Sequence, residues 1–206
     1  SIITMGCNTS YFKPENRIEN FFSQDSKKVI LFVGRLAEKK GLPYLIRAMK
    51  DVDALLIIAG NGPLEQECHT LVSTLNLKEK VQFLGSKSHN ELRTIYASSD
   101  IFVAPSITTK GGDVEGMPTV ILEAMASGLP IIASNSGGIP DNIRHEENGL
   151  LAEERNVEQL ADCINRLLRS PELSAKLSKA SLQTAALFDY SVIAEKYHDI
   201  MENSCR

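Results

Sequence analysis

Six short, nearly unbroken apolar runs recur along this chain: VILFV (29–33), ALLIIA (54–59), VQFLG (81–85), IFVAP (101–105), PIIAS (130–134) and, more weakly, GLLA (149–152). A strand with one wet face alternates apolar and polar residues, whereas a strand covered on both faces has no polar side to show. These runs do not alternate, so they are expected to lie inside a sheet with helices on both sides. The segments between them, GLPYLIRAMK, PLEQECHTLVSTLN, HNELRTIYASS and TVILEAMAS, carry helical spacing. Strand and helix in strict alternation make parallel crossovers. The expected fold class is therefore α/β, a doubly wound parallel sheet.

After residue 152 the pattern changes to helices alone, NVEQLADCINRLLRS, PELSAKLSKASLQTAALF and YSVIAEKYHDIMENS. Asn156 and Ser191 read as helix N-caps and Pro171 as a first-turn proline. At the other end SIITMG reads as a strand that starts abruptly, without an initiator methionine. A piece of a longer chain is the expectation. NTSYFKPENRIENFFSQDSKK (8–28) is the one polar, linker-like stretch.

With 206 residues, 43% of them apolar and 23% charged, the chain can bury one sizeable core. A net charge of −4 argues against a nucleic-acid binder, so any cationic site is local. Cys7, Cys68, Cys163 and Cys205 have no CxxC or metal-ligand spacing and read as reduced thiols of a cytosolic protein. No run approaches the roughly 20 apolar residues of a membrane span, and no basic leader precedes an apolar segment. A soluble protein is expected.

In open α/β sheets, ligands bind beyond the carboxyl ends of the strands. Four stretches fall there. In VGRLAEKKG, Gly34, Arg35, Lys39 and Lys40 follow a strand and precede a helix, which suits a diphosphate or equally a solvated charged turn. In IIAGNGPLEQE, Gly60 and Gly62 precede Pro63 in the first turn of a helix; the glycines resemble half a dinucleotide fingerprint, and a plain tight turn is the simpler reading. In TKGGDVEGMPTVILEAMASG, Gly111, Gly112 and Asp113 make a mobile loop, Glu115 follows, and Pro118 sets a helix that stops at Gly128. The fourth, SNSGGIPDNI, is a strand-to-helix turn with Pro140 at a helix start, and reads as structural.

The third stretch carries an anomaly. The helix from Pro118 to Gly128 is apolar on nearly every side, yet holds Glu123 about one and a half turns inside it. An isolated carboxylate there would cost several kcal/mol, so it needs donors. Vicinal ribose hydroxyls in a cleft match its two oxygens, and an internal Arg or Lys would serve as a purely structural partner.

Taken in order, VGRLAEKKG, GNGP, VQFLGSKS, EGMPTVILEAMASGLPIIAS, GGIPDNI and ENGLL resemble the nucleotide-sugar-binding half of retaining GT-B glycosyltransferases of the family 4 type. The signature is a glutamate pair separated by seven residues, here Glu115 and Glu123. The resemblance implies a Rossmann-like fold with extra C-terminal helices. It also implies three divisions: an interdomain strand and linker at 1–26, a donor-binding domain at 27–190, and a helix at 191–206 that packs toward a preceding acceptor domain. Arg35 and Lys40 would grip the donor diphosphate, with Gly34 beside them, and Glu115 would contact the sugar hydroxyls; these three would be the catalytic set. Glu123 would bind the ribose, Lys87 lies in the stretch that holds the base, and Gly116, Met117, Pro118, Thr119 and Val120 would bring backbone amides to the phosphates. The donor would be a UDP-, GDP- or ADP-sugar, with no cofactor and no metal. The acceptor, a glycan or lipid-linked glycan, would be held by the preceding domain, for polysaccharide assembly at the cytoplasmic side with peripheral membrane association. A nucleotide-binding module without turnover is the alternative. Asp141 and LLAEERN depart from the family pattern.

Overall fold

The computed structural model describes residues 5–22 and 27–204. The apolar runs form six strands, β1 Val29–Val33, β2 Leu55–Ala59, β3 Val81–Gly85, β4 Ile101–Ala104, β5 Ile131–Ser134 and β6 Leu150–Ala152. They pair in parallel throughout, in the order β3-β2-β1-β4-β5-β6. Between them run α1 Leu42–Ala48, α2 Glu65–Thr74, α3 His89–Ala97 and α4 Thr119–Ala126, followed by α5 Val157–Arg169, α6 Pro171–Ala186 and α7 Tyr190–Ser204. The order reverses between β1 and β4, and this reversal leaves a crevice at their carboxyl ends.

All five β1 residues are buried because helices cover both faces. Successive side chains point to opposite sides of a strand. Ile30, Phe32, Leu56 and Ile58 therefore join Leu45 and Ile46 of α1 and Leu160 and Ile164 of α5 in one core layer. Leu31, Val33, Ile57 and Phe102 join Ile95 and Tyr96 of α3 and Ile121, Leu122 and Met125 of α4 in the other. Cys7, Cys68 and Cys163 are buried free thiols; Cys205 lies outside the described residues. Burial pushes the Cys7 thiol up to about 12 and Cys68 to about 11, so neither forms a thiolate near neutrality.

Several boundaries differ from the sequence reading. Of the strand expected at SIITMG, residues 1–4 lie outside the described residues, and Cys7 makes a single parallel bridge to Asp189. Beyond it Phe12 is buried against Tyr96, and Arg17 donates to the carbonyls of Ala97 and Ser99 at the end of α3. Asn156 caps α5 and Pro171 opens α6 as expected. The start of α7 is closed by Asp189 instead of Ser191: Asp189 Oδ1 accepts from the Ser191 amide at 3.0 Å, and its Oδ2 holds Thr9. Ser191 is itself inside the helix, which removes it from the cap position.

Pro63 does not open α2, which begins at Glu65, because the Leu64 amide is committed to the Leu36 carbonyl of the neighbouring loop at 2.9 Å. Pro140 starts no helix either. The chain there is a series of turns, with the Gly138 amide spent on the Glu115 carbonyl at 3.1 Å. Among the described residues no helix is long and apolar enough to cross a membrane.

Candidate functional site

β1 delivers Gly34 and Arg35 to the crevice, and β2 delivers the GNGP turn beside them. A Cβ on Gly60 would stand 2.0 Å from the Gly34 carbonyl oxygen. These glycines let two strand-end loops touch, so the structural reading of GNGP applies. The loops enclose an open cleft of about 720 Å3 lined by Gly34, Arg35, Asn61, Ser86, Lys87 and Leu92 among others. That volume lies within the usual range for small-molecule sites. Arg35 is exposed and, among the described residues, has no ion-pair partner. Lys87 sits 3.1 Å from Glu91 Oε1, and the other oxygen of Glu91 completes a capping box with Ser88 at the start of α3. Those hydrogen bonds hold the Glu91 carboxyl at about 2, so Lys87 faces a fixed negative charge.

Lys39 and Lys40 stand on a single 3-10 turn, Glu38–Lys40, closed by Gly41 at φ 65°. The turn is stapled to the end of β4. The Ile107 amide donates to the Lys39 carbonyl at 2.9 Å, and a Cβ on Gly41 would stand 1.7 Å from the Pro105 carbonyl oxygen. Gly41→Ala is accordingly expected to destabilise the domain by about 3 kcal/mol or more, near 10 °C in thermal unfolding. A midpoint within about 2 °C of the parent would show that the turn is free of the sheet.

From this turn Lys40 Nζ reaches Glu115 Oε2 at 3.1 Å, and Lys39 Nζ reaches Glu115 Oε1 and Asp113 Oδ1 at 3.4 Å each. The Lys40 stem runs past Gly34, with Cδ and Cε 3.8 Å from where a Cβ would be. Lys40 thus runs from beside Gly34, a lining residue of the cleft, to Glu115. Glu115 is held in turn by the Gly138 amide, which gives the GGIP turn its structural duty. Its side chain is only 12% exposed, and Oε1 is sealed from solvent without a hydrogen bond.

The loop before Glu115 is anchored at its base, while Gly111 and Gly112 at its tip are exposed. Glu154 accepts from both the amide and the hydroxyl of Thr108, at 2.9 and 2.7 Å. Arg155 bonds the Thr108 carbonyl and pairs with Glu154. Thr109 and Asp113 then close a small loop on each other. The grip comes from LLAEERN, where the sequence departs from the family pattern. Nothing local in that stretch says which residue it holds, since Thr108 is 46 positions away.

Pro118 provides the extended N-cap residue of α4, whose first amides have no partner within the helix. Gly116 is exposed, Met117, Thr119 and Val120 are half-buried and Pro118 is buried. Glu123 lies deeper, 8% exposed. Its partner is the hydroxyl of Tyr96, which donates to Oε2 at 2.8 Å; among the described residues no Arg or Lys takes that place. Tyr96 is fully buried on the Leu92, Ile95, Tyr96 stripe of α3, where its aromatic ring reads simply as core in the sequence. Burial raises the Glu123 carboxyl, against the smaller opposing pulls of the Tyr96 hydrogen bond and the His89 charge. The site residues therefore fall into three groups: Gly34, Arg35 and Lys87 on the cleft, Lys40 bridging from it to Glu115, and Glu123 apart against α3.

A sequence model for glycosyl transferases group 1 matches residues 13–184 of this chain. The chain belongs to that family. An uncharacterized glycosyltransferase of Methanocaldococcus jannaschii is 40% identical over 149 residues, which is 70% of this chain and 37% of the relative. A GDP-mannose-dependent alpha-(1-6)-phosphatidylinositol monomannoside mannosyltransferase of Mycobacterium tuberculosis is 29% identical over 207 residues, covering 95% of this chain and 54% of the relative. Among solved structures, the sucrose-phosphate synthase of Thermosynechococcus elongatus superposes with a TM-score of 0.87 at 28% identity, over 98% of this chain and 52% of that one. The match thus spans between 37% and 54% of the length of these three proteins. Its fold is that of the GT-B glycosyltransferases, as the resemblance implied.

Proposed function

We propose that this chain is the donor-binding part of a retaining glycosyltransferase that moves a hexose-like unit from a nucleotide diphosphate sugar to a glycan or lipid-linked acceptor. The observation that carries the reading is the placement of Arg35 just past the carboxyl end of β1, on a cleft of about 720 Å3, with the Lys40 stem beside Gly34 of the same cleft. The name of the mycobacterial relative, a GDP-mannose-dependent enzyme, supports a nucleotide-sugar donor. Acceptor contacts come from the remainder of the full-length enzyme, which works at the cytoplasmic side and associates peripherally with the membrane.

In this reading the anomeric C–O bond breaks with its electron pair moving onto the diphosphate. Arg35 and Lys40 meet that growing charge from one side and the first amides of α4 meet it from another. Fixed cations and dipoles aimed at the leaving group act without reorganising. Two cations beside two phosphates perform the neutralisation that a divalent metal performs elsewhere. The acceptor hydroxyl adds to the face the diphosphate leaves, and its proton passes to the departing phosphate oxygen. Glu115, pinned between two ammonium groups, orients the sugar through its hydroxyls and does not attack the anomeric carbon. Glu123 takes the ribose and Lys87 lies at the base.

The test is thermal protection by a panel of UDP, GDP and ADP, their sugar forms and the matching nucleosides. One diphosphate and its sugars are expected to raise the midpoint, by about 2.7 kcal/mol in stability at a hundredfold excess over Kd, while the nucleoside does little at the same concentration. If no member of the panel protects the domain, the reading is overturned.

A further inference from the structure

We propose that Lys39 is a positioning residue that keeps Glu115 in place for the donor sugar while Lys40 turns to the diphosphate, and thereby sets the preference for a nucleotide sugar over the bare nucleoside diphosphate. The inference rests on the reading of the site given above.

Glu115 is nearly buried, and the two lysines divide its oxygens, Lys40 on Oε2 at 3.1 Å and Lys39 on Oε1 at 3.4 Å. A diphosphate on the cleft competes for Lys40, whose stem already lies along Gly34. When Lys40 turns to it, Glu115 would be left as an uncompensated carboxylate in a poorly solvated place, and such a group either takes up a proton or moves out. Lys39 prevents this. Its ammonium is shared between Asp113 and Glu115, whereas that of Lys40 meets Glu115 alone and its stem lies beside Gly34 on the cleft, so the diphosphate recruits Lys40. Its backbone is bonded to Ile107 at the end of β4, and its side chain also meets Asp113. The Glu115 charge, and after it the Asp113 hydrogen bond, hold Lys39 above the usual lysine range, so it stays an ammonium wherever the protein works. The Asp113 amide donates to the Thr109 hydroxyl, on a loop whose base Glu154 grips. The second cation of the KK pair thus has a steady anchor of its own.

The experiment measures Kd by calorimetry for a nucleoside diphosphate and for the matching nucleotide sugar, on the parent chain and on Lys39→Met, Lys39→Arg and Lys40→Met. In Lys39→Met the diphosphate affinity is expected to move by less than about threefold, while the ratio of the two Kd values falls by about fivefold or more. Lys39→Arg keeps the charge and is expected to keep the ratio. Lys40→Met is expected to weaken both ligands together by about tenfold or more. A parent chain that prefers the sugar form, with Lys39→Met preferring it equally, overturns this proposal alone. Equal loss of both ligands in Lys39→Met also overturns it, by making Lys39 a phosphate cation. A parent chain that binds neither ligand, or both alike, overturns the reading of Glu115 and this proposal together. Circular dichroism of each variant checks folding, and the Arg variant carries the test if the Met variant does not fold: an unchanged ratio supports the proposal, and a ratio reduced by about fivefold overturns it.

Discussion

Arg35→Ala is expected to weaken binding of a nucleoside diphosphate by roughly 10- to 100-fold, the equivalent of about 1.5–3 kcal/mol for hydrogen bonds to a charged group. The same substitution is expected to leave the melting midpoint almost unchanged. Arg35 is exposed at the end of β1 and has no ion-pair partner among the described residues, so its removal orphans no buried group. Surface substitutions of that kind stay within about 0.5 kcal/mol. Three signatures separate a phosphate role from a general one. The matching nucleoside should bind parent and variant alike. The affinity of the parent for the diphosphate should fall as ionic strength rises, and that of the variant should fall less steeply, because screening acts on the charge that is gone. In the proposed transfer reaction the loss should appear in kcat as well as in binding, since the diphosphate gains charge as the sugar leaves. Equal losses for nucleoside and diphosphate, or no loss for either, would remove Arg35 from the phosphate site.

The sheet was legible because a strand buried on both faces announces itself by the lack of alternation, and all six runs are strands within a residue of their expected ends. Element ends near prolines were less legible. Pro63 and Pro140 carry the same sequence signal as Pro171, yet only Pro171 starts a helix, because the other two lie where amides are claimed by a neighbouring loop. The site divides in a similar way. That Arg35 and Lys40 follow a strand end is a local fact, readable from VGRLAEKKG. That Lys40 meets Glu115 depends on β4 lying next to β1, which is a fact of strand order. The partner of Glu123 was the hardest to see. Burial demanded one, and cations are the usual supply, but the donor is a neutral hydroxyl 27 positions upstream on another helix. Glu154 shows the same limit, as its target depends on how two strand-end loops meet.

Glu123→Gln is expected to change stability and donor affinity in opposite directions. The carboxyl of Glu123 is raised in the folded protein by desolvation, with Tyr96 and His89 offsetting only part of it. The group that faces it from the N-terminal segment, Cys7, is a neutral thiol. A carboxyl whose folded value lies above its unfolded one binds more protons in the native state over the interval between them. Its contribution is therefore fully present below the ordinary carboxylate range and is lost as pH rises through the raised value. Above that point the domain carries an ionised carboxylate in a poor solvent. Glutamine has the same shape, cannot ionise, and still offers an oxygen to the Tyr96 hydroxyl. The variant should consequently lose this portion of the pH dependence and, above the raised value, melt a few degrees higher, the shift that about 1 kcal/mol produces in a chain of this size. Ribose binding should move the other way, because the amide replaces one of the two carboxyl oxygens by an NH2 donor and cannot become the ionised acceptor of two hydroxyls, a loss of roughly 10- to 100-fold in nucleotide affinity above the raised value. Tyr96→Phe gives the complementary case. It removes the donor and keeps the carboxyl group, so the pH at which the Glu123 contribution is lost should rise, and the pH above which nucleotide binds tightly should rise with it. A charge kept at the expense of stability is the mark of a residue held for a ligand. If the glutamine variant binds nucleotide as tightly as the parent, or melts lower at every pH, Glu123 is part of the core and the ribose must be held elsewhere.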